Sequence, residues 1–119
     1  NLETVERLQK EVRRGANYKK SLSLLKKSKD IAPHIQTKSG IMLGLGETLD
    51  EIKQTIYDLK KIDCDQITIG QYLMPSLNHL AVKKYWDPSE FEYLYRFSKE
   101  LGFKKVSSGP LVRSSYHAG

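Results

Sequence analysis

One cysteine, Cys64, is present in 119 residues. A disulfide takes two thiols and a thiolate-held metal cluster several, so neither can be built from these residues alone. Long apolar runs are missing too. Nothing approaches the roughly 20 consecutive apolar residues that cross a bilayer, and no charged start followed by an apolar segment marks a secretory leader. Proline is limited to four residues, tryptophan to one and aromatics to 9%. With 39% hydrophobic and 29% charged residues, the balance is that of an ordinary globular chain and not of a fibrous or disordered one. The length suits a single modest domain and leaves no material for a second core. The expected compartment is the cytoplasm, or the mitochondrial matrix or plastid for a chain with an upstream transit peptide.

What is present in excess is positive charge, +6 in all, and it is unevenly placed. Residues 1–38 hold ten of the 20 Lys/Arg and four of the 14 Asp/Glu, while the remainder is balanced at ten each. Such a patch attracts phosphates or an acidic partner, or is simply the solvated face of a helix. Lys19, Lys20, Lys26, Lys27 and Lys29 could serve a small nucleic-acid-binding module, whose affinity would fall steeply with salt. Only Tyr18 interrupts the run, so base stacking is poorly supported and nucleic acid is not the expected partner. A membrane is not expected either.

Along the chain, Leu2, Val5, Leu8 and Val12 recur at helical spacing, with Thr4 placed to cap and Gly15 to stop the segment. A second helix is expected from Asn17, turning Tyr18, Leu22 and Leu25 to one face until Pro33 forbids continuation. The run TKSGIMLGLG then reads as a buried strand opening into a loop. Thr48 and Glu51 form a capping-box pattern ahead of a helix with Leu49, Ile52, Ile56 and Leu59 inward. QITIGQYL alternates as a second strand. Asp87, Pro88 and Glu90 open a third helix, packed by Phe91, Leu94, Tyr95 and Leu101 and stopped by Gly102. A short strand is expected around residues 104–106. Strand and helix alternate, which predicts an α/β fold with a parallel sheet. Three strands cannot close a barrel, so the sheet looks like part of a larger (β/α) structure.

Three segments are candidates for chemistry. GIMLGLGE, residues 40–47, lies where a strand meets a capped helix, although it is neither a dinucleotide fingerprint nor a phosphate loop and also reads as a tight turn. GQYLMPS, residues 70–76, follows the next strand and opens on the same rim, beyond the strand carboxyl ends where α/β proteins hold ligands. The tail brings Arg113, Ser114, Ser115, Tyr116 and His117 directly after an apolar pair; Ser115 and His117 could pair as in a hydrolase, but sequence neighbours do not make a triad and no nucleophile elbow accompanies them. His34 and His79 read as surface or loop residues, and Cys64 has no partner that marks a nucleophile.

Taken in order, NLETV, TKSGIMLGLGET, TIGQYLMPS and GPLVRSSYHAG resemble the C-terminal portion of lipoyl synthases, which are radical S-adenosylmethionine enzymes. The likeness spans nearly the whole chain, and RSSYHA beside GPLV is its most specific part. The resemblance implies that residues 1–119 form the C-terminal part of a partial, TIM-like (β/α) barrel with parallel strands, including the tail at 113–118. It implies two four-iron four-sulfur clusters, one that reduces S-adenosylmethionine and an auxiliary one consumed as sulfur donor. A 5′-deoxyadenosyl radical then takes hydrogens from an octanoyl chain on a lysine of a carrier domain, and sulfur enters at two carbons. Carried over by position, Asn1, Glu3 and Arg13 become polar contacts of S-adenosylmethionine. Lys38, Ser39, Gly40, Met42, Gly44 and Glu47 fall on its adenine-binding strand, and Gln71, Tyr72 and Leu73 on the next. Ser115, with Ser114 as second choice, becomes a ligand of the auxiliary cluster, and Arg113 a cationic neighbour. The family's two cysteine motifs have no counterpart here, so a segment supplying them is expected as partner, and the chain by itself is expected to be incompetent. Smaller departures are Arg14 where proline is common, Met74 before Pro75, and Ala81 where HLPV is usual.

Overall fold

The computed structural model describes residues 1–113. After an extended start, a short 3-10 turn at Glu6–Leu8 leads into helix α1 (Gln9–Val12), followed by α2 (Tyr18–Ile31), strand β1 (Lys38–Leu43), α3 (Leu49–Lys61), β2 (Gln66–Gln71), α4 (Pro88–Leu101) and β3 (Lys105–Gly109). The strands form one parallel sheet in the order β1-β2-β3. An isolated parallel bridge from Glu3 to Ile41 adds the start of the chain on the free side of β1.

Local chemistry accounts for most boundaries. Asn17 Oδ1 accepts from the Lys20 N–H and opens α2. Thr48 and Glu51 satisfy each other's backbone N–H groups in a capping box at α3. The Glu90 carboxylate accepts from the Asp87 N–H at α4, and Gly102 ends that helix at φ +104°. The third strand extends beyond the expected residues to Gly109, because residues 105–109 find partners along β2.

The first segment departs from expectation. A helix capped by Thr4 does not form, since residues 1–3 pair with β1 instead. The Glu3 N–H donates to the Gly40 carbonyl at 2.9 Å and the Met42 N–H to the Glu3 carbonyl at 2.7 Å. Sheet pairing wins over helix propensity, and the buried Gln9 amide secures the bend by donating to the carbonyls of Leu2 and Thr4. Thr4 is itself buried, and among the described residues its hydroxyl has no partner.

One face of the sheet is greasy and covered. Ile41, Leu43, Ile67, Ile69 and Val106 meet Ile52, Ile56 and Leu59 of α3 and Phe91 and Leu94 of α4 in one core, each such side chain contributing about 1.5–3 kcal/mol of apolar burial. The other face carries Gly40 opposite Thr68 and Met42 opposite Gly70, small or slender groups that leave room. Helix α2 is tied at both ends: the Tyr18 hydroxyl donates to Asp58 Oδ2 at 2.7 Å, and Lys29 Nζ lies 2.7 Å from Asp65 Oδ2. Among the described residues, no helix is long and apolar enough to cross a membrane.

Candidate ligand site at the strand ends

The space over the open face is a cavity of about 110 Å³, walled by Asn1 and Glu3 on one side, Gly40, Met42 and Gly70 beneath, and Arg113 opposite. It adjoins a wider one of about 560 Å³ that shares Met42, Gln71 and Arg113 and reaches Val12, Leu73 and Leu80. Both sit towards the carboxyl ends of the strands, the usual ligand position in parallel α/β proteins.

Asn1 is aimed by its Oδ1, which accepts from the Gly40 N–H at 3.2 Å. Glu3 adopts φ +69°, a left-handed conformation unusual outside glycine, and backbone held this way concentrates at functional sites. Its carboxylate lies 4.0 Å from the Arg13 guanidinium. Arg113 arrives from the far side because the tail crosses β2 at Gly70: a Cβ built there would stand 2.0 Å from the Val112 carbonyl oxygen. Arg113 Nη1 donates to the Pro110 and Val112 carbonyls, which fixes the side chain in the wall common to both cavities.

The loops are fastened by two side chains that the family resemblance placed among the cofactor contacts. The buried Glu47 carboxylate accepts from the N–H groups of Gly44 and Leu45 and from Trp86 Nε1. Gln71 donates to the carbonyls of Tyr72 and Lys84 and accepts from the Trp86 N–H. Gly44, at φ +117°, is required by this packing, since a Cβ would meet Gln71 Nε2 at 2.3 Å and the Lys84 carbonyl at 2.6 Å. The Tyr72 hydroxyl donates to the Leu80 carbonyl at 2.6 Å.

Of the expected residues, then, Asn1, Glu3, Gly40, Met42, Gln71 and Arg113 line the smaller cavity, and Tyr72 and Leu73 the larger. Arg13 joins through Glu3. Gly44 and Glu47 shape the loops without lining either cavity. Lys38 begins β1 at the opposite end of the sheet, and Ser39 is fully buried with its Oγ accepting from the Leu2 N–H, so neither reaches the rim. Ser114 and Ser115 lie outside the described residues. Glu11, Val12, Asn78 and His79 line the larger cavity without having been expected there; the signal that was available was the histidine in a loop following a site-bearing strand. Cys64 sits before β2, away from the rim, and burial pushes its thiol pKa up, which marks a structural thiol.

Geometry of this kind defines a class: an α/β protein with a three-stranded parallel sheet and a cavity lined by glycines towards the strand carboxyl ends. No family model matches the chain. Curated relatives do. Lipoyl synthase 2 of Prochlorococcus marinus subsp. pastoris is 80% identical over all 119 residues, which are 40% of that protein. Lipoyl synthase 2 of Thermosynechococcus vestitus is 61% identical over 118 residues, 41% of its length, and lipoyl synthase of Hydrogenovibrio crunogenus 57% over 118 residues, 37% of its length. The chain is thus related along its whole length to the C-terminal portion of lipoyl synthases, and spans about 40% of the relatives it matches.

Proposed function

We propose that the intact protein is a lipoyl synthase, acting in the cytoplasm, and that the described cavities form part of its active site. In this reading the sheet is one section of a partial (β/α) barrel, with the open face turned to the lumen. The observation that carries the proposal is the convergence of Asn1 and Glu3 with Arg113 across Gly40, Met42 and Gly70. S-adenosylmethionine carries an ammonium, a carboxylate, ribose hydroxyls and an adenine, and this wall offers an acid, an amide, a guanidinium and backbone approach over glycine. The fit is good. Asn1, Glu3 and Arg113 would hold the polar groups, and Gly40, Met42 and Gly70 would lie along the flat ones.

When bound, S-adenosylmethionine supplies the hydrogen-abstracting power of the reaction. This chain's residues do the rest of their work by position. Glu47 and Gln71 hold the two rim loops to the strand ends, so the wall is formed before the ligand arrives. Val12, Leu73 and Leu80 give the larger cavity an apolar side suited to an octanoyl chain. Iron–sulfur clusters do not fit the described residues: the one thiol, Cys64, is buried away from the rim, so their thiolates must come from elsewhere.

The test is turnover. The intact protein, reconstituted anaerobically with iron and sulfide, is given S-adenosylmethionine, a reductant and an octanoyl-lysine peptide. Mass spectrometry should show two sulfurs added per octanoyl group, and Arg113→Ala should lower the yield sharply. Absence of any sulfur-bearing product with the unsubstituted protein would overturn the reading.

A further inference from the structure

The connection from β2 to α4 is long, has no regular structure of its own, and exposes apolar side chains that the fold does not use. Leu77 is 93% exposed and Tyr85 67%, with Leu73, Met74 and Leu80 between 37% and 48%. Single exposed apolar residues are ordinary, but a contiguous group on one loop marks a surface for a partner. The loop is also well organised. The Tyr72 hydroxyl pins the Leu80 carbonyl, Ser76 Oγ lies 2.8 Å from His79 Nδ1, and the His79 N–H donates to the Ser76 carbonyl at 3.1 Å. A tight turn therefore presents Leu77 outward on a fixed base.

Two features say what it is presented to. Leu73 and Leu80 belong both to this patch and to the wall of the 560 Å³ cavity, so whatever covers the patch sits over the cavity mouth. Residues 72–86 contain Lys83, Lys84 and His79 and no Asp or Glu, and exposed Arg13 and Arg14 lie just beyond Glu11 and Val12, which line the same cavity. Lys84 faces Glu90 at 3.6 Å and Arg13 faces Glu3 at 4.0 Å, so Lys83 and Arg14 are the cations left to an incoming surface. The complement of such a surface is apolar at its centre and acidic at its edge.

We propose that the turn carrying Leu77 is the docking site for a folded carrier domain, one that offers an acyl chain on a lysine from within an acidic surface. The inference rests on the lipoyl synthase reading for the identity of the chain, and adds the protein surface that delivers it. Leu77 grips the domain while the acyl chain passes into the cavity behind it. A free acyl-lysine peptide, lacking the domain, has no use for Leu77.

The experiment is a pair of binding titrations on the intact protein. One uses a recombinant lipoyl carrier domain octanoylated on its lysine; the other uses a short octanoyl-lysine peptide. With Leu77→Asp, affinity for the carrier domain should fall about tenfold or more, while Leu77→Met keeps it and affinity for the peptide is unmoved. Added salt should weaken the domain and spare the peptide. Unchanged domain affinity in Leu77→Asp would overturn the proposal, as would an equal loss for domain and peptide, which would put Leu77 inside the acyl site. Because binding is read without turnover, failure of the sulfur-insertion assay judges the reaction and leaves this result standing or falling by itself.

Discussion

Trp86 Nε1 donates to the Glu47 carboxylate across 3.1 Å, tying the segment that leads into α4 to the loop that follows β1. Both side chains are buried. The same carboxylate holds the Gly44 and Leu45 N–H groups, so one acid organises the rim from both directions.

Removing that acid should therefore cost more than removing its indole partner. Glu47→Ala leaves three donors unsatisfied and should destabilise the protein by about 3 kcal/mol or more, whereas Trp86→Phe, which removes one donor and leaves the carboxylate its two backbone N–H partners, should cost less. Denaturant unfolding measures both. Equal, small effects would show that the loops are held by something else.

Gly70 and Gly109 pair across β2 and β3, yet only one of them is crowded. A Cβ at Gly70 meets the Val112 carbonyl at 2.0 Å, while at Gly109 the nearest atom is Val112 Cγ2 at 3.6 Å, an ordinary contact. Gly70→Ala should push residues 110–113 off the sheet and cost about 2 kcal/mol, and Gly109→Ala should cost well under half of that. Amide exchange across residues 109–113 reports the displacement directly.

Asp65 joins the end of α2 to the sheet through Lys29 at 2.7 Å, with Lys104 at 3.3 Å and the Thr37 N–H at 2.8 Å. Burial pushes its carboxyl up, but the hydrogen bonds from Lys29, the Thr37 backbone and Lys104 outweigh that and bring it to about 2. A carboxyl depressed in the folded state stabilises above its unfolded pKa near 3.9 and loses that contribution as pH falls through about 2. About 2 kcal/mol of stability should thus disappear between pH 4 and pH 2, and Asp65→Asn should flatten this part of the curve while lowering stability at neutral pH.

Cys64 is the one cysteine, buried and distant from the rim. Residues 1–119 expressed alone should accordingly take up no stable iron–sulfur cluster on anaerobic reconstitution, judged by the visible spectrum after desalting. A persistent cluster band would contradict the requirement for thiolates from elsewhere.

Much of this architecture was legible because its signals are local. Thr48 with Glu51, Asp87 with Glu90, Asn17 and Gly102 act within one turn of chain, and strand–helix alternation dictates a parallel sheet. The misreadings came from contacts distant in sequence. Nothing near Glu3 announces that it will pair with Ile41 in place of starting a helix, and nothing near Gly70 announces Val112 lying on it. Glu47 belongs to the loop after β1 and Gln71 ends β2, and their task as loop fasteners depends on Trp86, 39 and 15 residues away. Lys38 adjoins the glycine-bearing run in sequence, but a strand of six residues separates its two ends, and Lys38 stands at the end away from the two rim cavities.

The measurement that bears most directly on the central claim is hydrogen exchange of the intact, cluster-loaded protein with and without S-adenosylmethionine. If the wall formed by Asn1, Glu3, Gly70 and Arg113 receives that molecule, amides in residues 1–5 and 109–113 should slow together on its addition, with residues 19–30 of α2 unchanged. Protection confined to other parts of the chain, with both of those segments exchanging as before, would contradict it.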